Sequence, residues 1–512
     1  MHPRQFAATH PDHPACIIGE SGETLTYGQL ESRANRLAHL LRAEGVKQGD
    51  AIAVLMDNQP AFFEICWAAQ RSGIYFICIS TKLKETEVAY ILADCDAKML
   101  FASWSLHDLA SSLGRQFPDL PVYYAGCPDT LTDGNYYAAR DAMPANPIAD
   151  EAQGYDMLYS SGTTGRPKGI APAPVGGPID VPNPMTLLAS QHYLVDARSV
   201  FLSPAPLYHS APLRWSMAVQ RLGGTVVVMS RFDAETALQL IERHRVTHSQ
   251  WVPTHFIRML KLPEQTRNLY DLGSHRMAVH AAAPCPIDIK RAMLDWWGPI
   301  IHEYYSGTES NGFTAVSPQE WLERPGTVGR ALSATTRICD ENGEPLPPRA
   351  EGLVYFEGGP AFSYHNDPQK LADCTNQYGW TTLGDVGWVD EDGYLFLTDR
   401  KSFMIISGGV NIYPQEIEDV LILHPLVDDV AVVSAPDEDM GEKVVAVVQP
   451  TAMELAGDGL AAELTEYARE RLSHVKVPRL IMFEEALPRH ATGKLYKRLL
   501  RDRLWQKAEP AG

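Results

Sequence analysis

Ser160-Ser161-Gly162-Thr163-Thr164-Gly165-Arg166-Pro167-Lys168-Gly169 crowds four hydroxyls, three glycines and two cations into ten residues. Glycine lets a backbone bend tightly and present bare N–H groups, and the hydroxyls and Lys168 add further donors. Such a run is suited to cradling a chain of phosphates. The apolar Met157-Leu158-Tyr159 before it reads as the end of a strand that feeds the loop. Its spacing differs from the common P-loop, because no G-x-x-x-x-G-K-[ST] is present.

Upstream, Leu25 to Leu30 leads into apolar positions Leu30, Ala34, Leu37, Ala38 and Leu41, which predict a helix. Gly45 and Gly49-Asp50 end it before a strand over Ala51 to Met56. Alternation of this kind continues through Ile91 to Phe101, which indicates α/β layers. Pro144 and Pro147 mark a connection before the phosphate loop, and Pro172 to Pro184 forms a second Pro/Gly-rich loop.

Downstream, Val386 to Val389 and Tyr394 to Leu397 flank a turn containing Asp392-Gly393, the pattern of a hairpin. Beyond Arg400 the texture changes. A helix over 415–423, strands over 430–433 and 444–448, a helix over 460–472 and a strand over 480–483 predict a small α+β unit. The expected organisation is a large multi-layer α/β domain over 1–399, a hinge at 400–402 and a small mobile α+β domain over 403–512.

A chain of 512 residues with 45% hydrophobic and 21% charged residues has the make-up of an ordinary globular protein. Its formal charge of −19, with no dense basic run, gives little electrostatic support for nucleic acid or an anionic membrane. No apolar stretch reaches the length of a membrane span, and Met1 to Ala15 is unlike a signal peptide. The eight cysteines are scattered without a C-x-x-C, as expected for thiols in a reducing, cytoplasmic setting. Oligomeric state is not written in the sequence, and a homodimer is only the commonest default.

Further constellations carry chemistry. Tyr304-Tyr305-Ser306-Gly307-Thr308-Glu309 sets a hydroxyl beside a carboxylate next to an aromatic pair. Magnesium prefers hard oxygens and is commonly held by one or two carboxylates together with phosphate oxygens. Asp385, in Thr381-Thr382-Leu383-Gly384-Asp385, is an acceptor-only group able to take two O–H bonds from a diol. Arg400 follows in Asp399-Arg400-Lys401, then Ser407-Gly408-Gly409, then Pro488-Arg489-His490-Ala491-Thr492-Gly493-Lys494.

Taken together these motifs resemble the adenylate-forming superfamily of acyl-CoA synthetases, adenylation domains and luciferases, and the resemblance covers nearly the whole chain. It implies that Ser160, Ser161, Gly162, Thr163, Thr164 and Lys168 bind the phosphates of ATP. It also implies that Tyr305 stacks on adenine, Thr308 meets the α-phosphate and Glu309 holds Mg²⁺. Asp385 and Arg400 would bind ribose. Ser407, Gly408 and Gly409 would line the pantetheine tunnel of coenzyme A, and Lys494 would reach the reacting carboxylate and α-phosphate as a compact charge. Two departures stand out: Ser306 where the family usually has glycine, and Ser402 where relatives carry Asp or Lys as the pivot. Two elements needed at different steps on one small domain imply that this domain turns between half-reactions.

The reaction implied is two-step: a carboxylate attacks Mg·ATP to give acyl-AMP and pyrophosphate, then the CoA thiol displaces AMP. By resemblance the acyl pocket is lined by Tyr208-His209, the Trp251 region and His280 to Ala283. The absence of an aspartate near His209 argues against an amino-acid substrate. The small side chains of Ala281, Ala282 and Ala283 leave room for a bulky hydrophobic acid (fatty, aryl or polycyclic). His209 either orients the carboxylate or gates the pocket. The nearest alternative keeps the adenylate and delivers it to a carrier-protein thiol. A catalytically dead nucleotide-binding protein is the alternative from another class. Hydrolase chemistry has less support, since neither a G-x-S-x-G elbow nor H-E-x-x-H is present.

Overall fold

Thr26 caps the first long helix, Tyr27–Ala43, by accepting from the backbone N–H of Gln29, whose side chain in turn accepts from the Thr26 N–H. This reciprocal box fixes the start of the helix, and its buried face carries Leu30, Ala34, Leu37, Ala38 and Leu41 as the spacing predicts. The computed structural model describes residues 1–160, 167–171, 175–400, 403–489 and 495–508. The chain divides into two units. The first comprises 1–283, 288–323 and 360–373; the second comprises 284–287, 324–359 and 374–512.

In the first unit, one parallel sheet has the order Val122–Ala125, Ala97–Ser103, Ala51–Leu55, Tyr75–Cys78, Tyr155–Asp156. A second sheet contains the adjacent parallel strands Val200–Ser203, His248–Trp251, Met277–His280 and Ile301–Tyr305. Thr314–Val316 adds antiparallel to the last of these. Strands of this sheet such as Thr225–Val228 are buried along their whole length, as expected when both faces are covered. The strand forecast over 51–56 is found as Ala51–Leu55. A small antiparallel sheet joins Leu158–Ser160, Lys168–Ala171 and Ser363–Tyr364.

The second unit contains the expected hairpin, with longer arms: Thr381–Val389 pairs with Leu395–Arg400, and Gly393 takes the left-handed conformation that its turn requires. Further along lie the helix Pro414–Leu421, strands Val427–Asp437 and Gly441–Pro450, the helix Asp458–Arg469 and the strand Leu480–Phe483. Each expected element is present within a few residues of its forecast. Their apolar faces share a core that includes Ile417, Leu421, Val430, Val432, Ala446 and Leu464. A short hairpin not expected from the sequence joins Ile405–Ser407 to Val410–Ile412. Among the described residues no disulfide forms, and no helix is long and apolar enough to cross a membrane.

Candidate active site

Four neighbouring parallel strands of the first unit deliver the acyl-pocket candidates and the Tyr305–Glu309 run. Past the end of Val200–Ser203 comes His209, past His248–Trp251 the helix starting at Pro253, and past Met277–His280 the run Ala281 to Ala283. Past Ile301–Tyr305 comes the Ser306–Glu309 loop. Ligands of open α/β sheets bind outside the carboxyl ends of such strands. Trp251 and His280 are side by side in register.

His209 is the N-cap of Ser210–Arg221 and is half-buried, with its ring 4.6 Å from that of Tyr208. Trp251 is fully buried in an aromatic cluster with Phe256 and Trp297 and donates its indole N–H to Ser249. Ala281 is buried. Ala282 and Ala283 are exposed, with Ala282 at φ +79°, an unusual conformation for a residue with a Cβ. Beneath this rim, Lys290 donates to Glu303 at 2.5 Å, and His280 Nε2 is 3.4 Å from the same carboxylate. Burial raises the Glu303 carboxyl and lowers the His280 imidazole well below its ordinary range.

Tyr305 ends its strand opposite Thr314 and is half-buried, while Tyr304 is buried and stacked on Phe313 at 4.8 Å. The Ser306 hydroxyl, standing where glycine is usual, donates to the Gly312 carbonyl at 2.7 Å and so ties the two ends of the loop together. The Arg214 guanidinium donates to the Thr308 carbonyl at 3.1 Å and to the Ser310 hydroxyl at 3.2 Å. Its Nε donates to Asp156 at 2.9 Å. Tyr364 donates to Glu309 Oε1 at 3.0 Å.

Lys168 returns from the phosphate loop in register with Ser160 and forms an ion pair with Asp367. That ammonium holds the Asp367 carboxyl below the usual range. Tyr364 and Asp367 therefore bring the metal-ligand candidate Glu309 and the phosphate-loop Lys168 to one short segment. Ser161, Gly162, Thr163 and Thr164 lie outside the described residues, as do Ser402 and Lys494. Among the described residues no group of three or more His, Cys, Asp or Glu side chains could hold a metal alone. A single carboxylate suits magnesium that arrives already bound to phosphates.

In the second unit Asp385 and Arg400 sit opposite each other on paired strands, and Arg400 Nε donates to Asp385 Oδ1 at 2.8 Å. Gly408 and Gly409 form the two-residue turn of the Ile405–Ile412 hairpin, with φ of +55° and +79°. Turns of this kind place both central residues at positive φ, which favours glycine. The Gly408 N–H donates to the Met440 carbonyl at 2.8 Å. Sequence reasoning missed Arg214, Asp156, Tyr364 and Asp367. No local motif marks them, because their partners are 55 to 199 residues away.

The family profile described as AMP-binding enzyme matches residues 3–363, and that of the AMP-binding enzyme C-terminal domain matches 416–494. The long-chain-fatty-acid–CoA ligase FadD13 of Mycobacterium tuberculosis is 31% identical over 507 residues, covering 98% of this chain and 97% of its own. The fatty acid–[acyl-carrier-protein] ligase ScoC of Streptomyces coeruleorubidus is 33% identical over 540 residues, with coverage of 98% and 95%. Among solved structures, o-succinylbenzoate CoA synthetase (MenE) from Bacillus subtilis, in complex with its acyl-adenylate intermediate, superimposes with a TM-score of 0.80. It is 26% identical, with 98% of this chain and 97% of that one covered.

Proposed function

This chain belongs to the AMP-binding enzyme family, the adenylate-forming enzymes, and from that premise we propose that it joins a hydrophobic carboxylic acid to coenzyme A through an acyl-adenylate. The observation that carries the reading is the convergence of His209, Ala281 to Ala283 and the Tyr305–Glu309 loop at the carboxyl ends of adjacent parallel strands.

In the first half-reaction the acid's carboxylate attacks the α-phosphorus of ATP. A P–O bond forms to the acid, and the bond to the pyrophosphate oxygen breaks. The approach brings two anions together, so positioning and charge neutralisation supply most of the catalysis. Lys168 and Lys494 supply positive charge, Thr308 donates to the α-phosphate and Tyr305 stacks on the adenine. Asp385 and Arg400 hold the ribose. Glu309 would hold the magnesium that arrives with ATP, and that ion would supply further charge neutralisation. In the second half-reaction the CoA thiol, admitted along Ser407, Gly408 and Gly409, attacks the acyl carbon and AMP leaves. A hinge at 400–402 lets residues 403–512 serve both steps. His209 faces the carboxylate, and the acyl chain lies along the run Ala281 to Ala283, with Trp251 packed in the aromatic cluster behind it.

The likeness to FadD13 and MenE, named for fatty and aryl acids, supports a hydrophobic acid and CoA. The likeness to ScoC supports the second reading, a carrier-protein thiol as acceptor. ATP–pyrophosphate exchange across a panel of fatty, aryl and polycyclic acids, followed by product analysis with and without CoA, tests both. Acid-dependent exchange with CoA-dependent thioester is the expected result. Exchange without CoA turnover selects the carrier protein, and no exchange with any acid overturns the reading.

A further inference from the structure

Arg214 reaches both the strand Tyr155–Asp156, which precedes the phosphate loop, and the turn carrying Thr308 and Glu309. On one side its Nε donates to Asp156 at 2.9 Å, with a second nitrogen 2.8 Å from the same carboxylate oxygen. Asp156 ends the strand Tyr155–Asp156, four residues before Ser160. On the other side Nη1 donates to the Thr308 carbonyl and the Ser310 hydroxyl. Glu309 stands between these two held residues. Ser310 has φ +54°, a conformation a non-glycine residue keeps only where its surroundings hold it. The planar guanidinium fork can grip three groups at once, which an ammonium cannot. The charge is matched and largely shielded, with the Arg214 and Asp156 side chains 18% and 15% exposed.

We propose that Arg214, anchored by Asp156, is a positioning residue for Mg·ATP: it sets the Thr308–Ser310 turn so that Thr308 and Glu309 face the triphosphate together. The proposal rests on the reading of Thr308 and Glu309 as phosphate and metal ligands. It makes Arg214 neither a substrate contact nor a general scaffold. Loss of the fork should therefore be felt as loss of magnesium-dependent nucleotide affinity.

The test uses the full-length protein and its variants Arg214→Met, Arg214→Lys, Asp156→Asn, the double Asp156→Asn/Arg214→Met, and Glu309→Gln. Calorimetry measures ATP binding in excess Mg²⁺ and in EDTA, with melting temperature alongside. Arg214→Met should weaken Mg·ATP binding by about tenfold, the scale of losing hydrogen bonds to a charged group. ATP binding in EDTA should move much less. Arg214→Lys should recover part of the loss, and the double variant should be no worse than Arg214→Met alone.

Unchanged Mg·ATP affinity in Arg214→Met with a lowered melting temperature makes Arg214 a scaffold residue and overturns the proposal. If Arg214→Met does not fold, Arg214→Lys and Asp156→Asn carry the same comparison. Glu309→Gln separates the two layers of the argument. If it abolishes the magnesium dependence while Arg214→Met does not, only the Arg214 proposal fails. If Glu309→Gln leaves the magnesium dependence intact, the metal reading fails and takes the proposal with it.

Discussion

Two kinds of placement carry the candidate residues of the two units. In the first, other side chains do the gripping: Arg214 holds the Thr308 carbonyl and Tyr364 holds Glu309 on a loop past a packed parallel strand, and Asp367 holds Lys168 on the small antiparallel sheet. In the second, Arg400 holds Asp385 in the same way, whereas Gly408 and Gly409 are placed by backbone, as the turn of a two-stranded hairpin. Each unit seals in a carboxylate beside a lysine, Glu303 with Lys290 in the first and Glu418 with Lys497 in the second, and the first adds the buried imidazoles His248, His255 and His275. Side-chain clamps give a site that is assembled before the nucleotide arrives. A bare glycine turn gives a surface whose only requirement is that nothing protrudes. The first suits adenylation, where geometry around phosphorus decides the rate, and the second suits passage of a thin thiol arm.

The largest effect expected is that of Lys494→Ala, which tests whether the second unit lends a charge to adenylation. Removal of one preorganised charge at a developing anion typically costs roughly 10²–10³ in rate. Adenylation, followed by pyrophosphate release, should fall by that factor, while thioester formation from supplied acyl-AMP should stay near the wild-type rate. Equal losses in both half-reactions would remove Lys494 from its role.

Next in size is the glycine turn. A side chain at Gly409 meets nothing within 4 Å, yet φ of +79° strains any L-residue there. Gly409→Ala imposes that strain, about 1–2 kcal/mol, without bulk. Gly409→Leu adds bulk to the same strain. If the turn lines the path of the thiol, Gly409→Leu should slow CoA transfer roughly tenfold or more beyond Gly409→Ala, with adenylation alike in both. Matching rates for the two variants would mean that the glycine serves only the turn.

Much of this was legible along the chain because it depends on local pattern. Helical spacing over Leu30 to Leu41, the Asp392-Gly393 turn and the order of elements after 414 are short-range properties, and they are found close to where the sequence puts them. The hydroxyl-glycine run and the Thr308-Glu309 pair are likewise contiguous. Arg214 was not legible, because nothing within the helix Ser210–Arg221 distinguishes a clamp from an ordinary helical arginine. Its partners come from strand ends 58 and 94 residues away. Ser306 shows the converse: as a letter it is a departure from glycine, whereas its hydroxyl in place closes the loop onto Gly312. The Ile405–Ile412 hairpin escaped notice because two three-residue arms carry too little alternation to register as strands.

The smallest effects expected are those of pH, and here the buried imidazoles and the buried Glu418 carboxyl should move stability in opposite directions. Burial lowers His248 to about 4 and His255 and His275 to about 3. Their neutral forms are kept in the fold, whereas the unfolded chain takes up protons below 6.5, the ordinary imidazole value. The stability these sites contribute is present above pH 6.5 and is lost as pH falls toward 4. Burial pushes Glu418 up to about 7 from an ordinary 4.5, so its fold-stabilised form is the protonated one. That contribution is present below pH 4.5 and is lost as pH rises through 7. Each proton contributes a slope of about 1.4 kcal/mol per pH unit inside its window. The two windows overlap between pH 4.5 and 6.5, where the slopes oppose one another. In thermal unfolding, His255→Phe, which keeps an aromatic ring against Phe232, should therefore flatten the rise in stability from pH 4.5 to 6.5. Glu418→Gln should steepen that rise and remove the fall between 6.5 and 7. If Glu418→Gln flattens the rise as His255→Phe does, the fold does not favour the protonated Glu418 carboxyl, and the opposition between the two kinds of buried group fails.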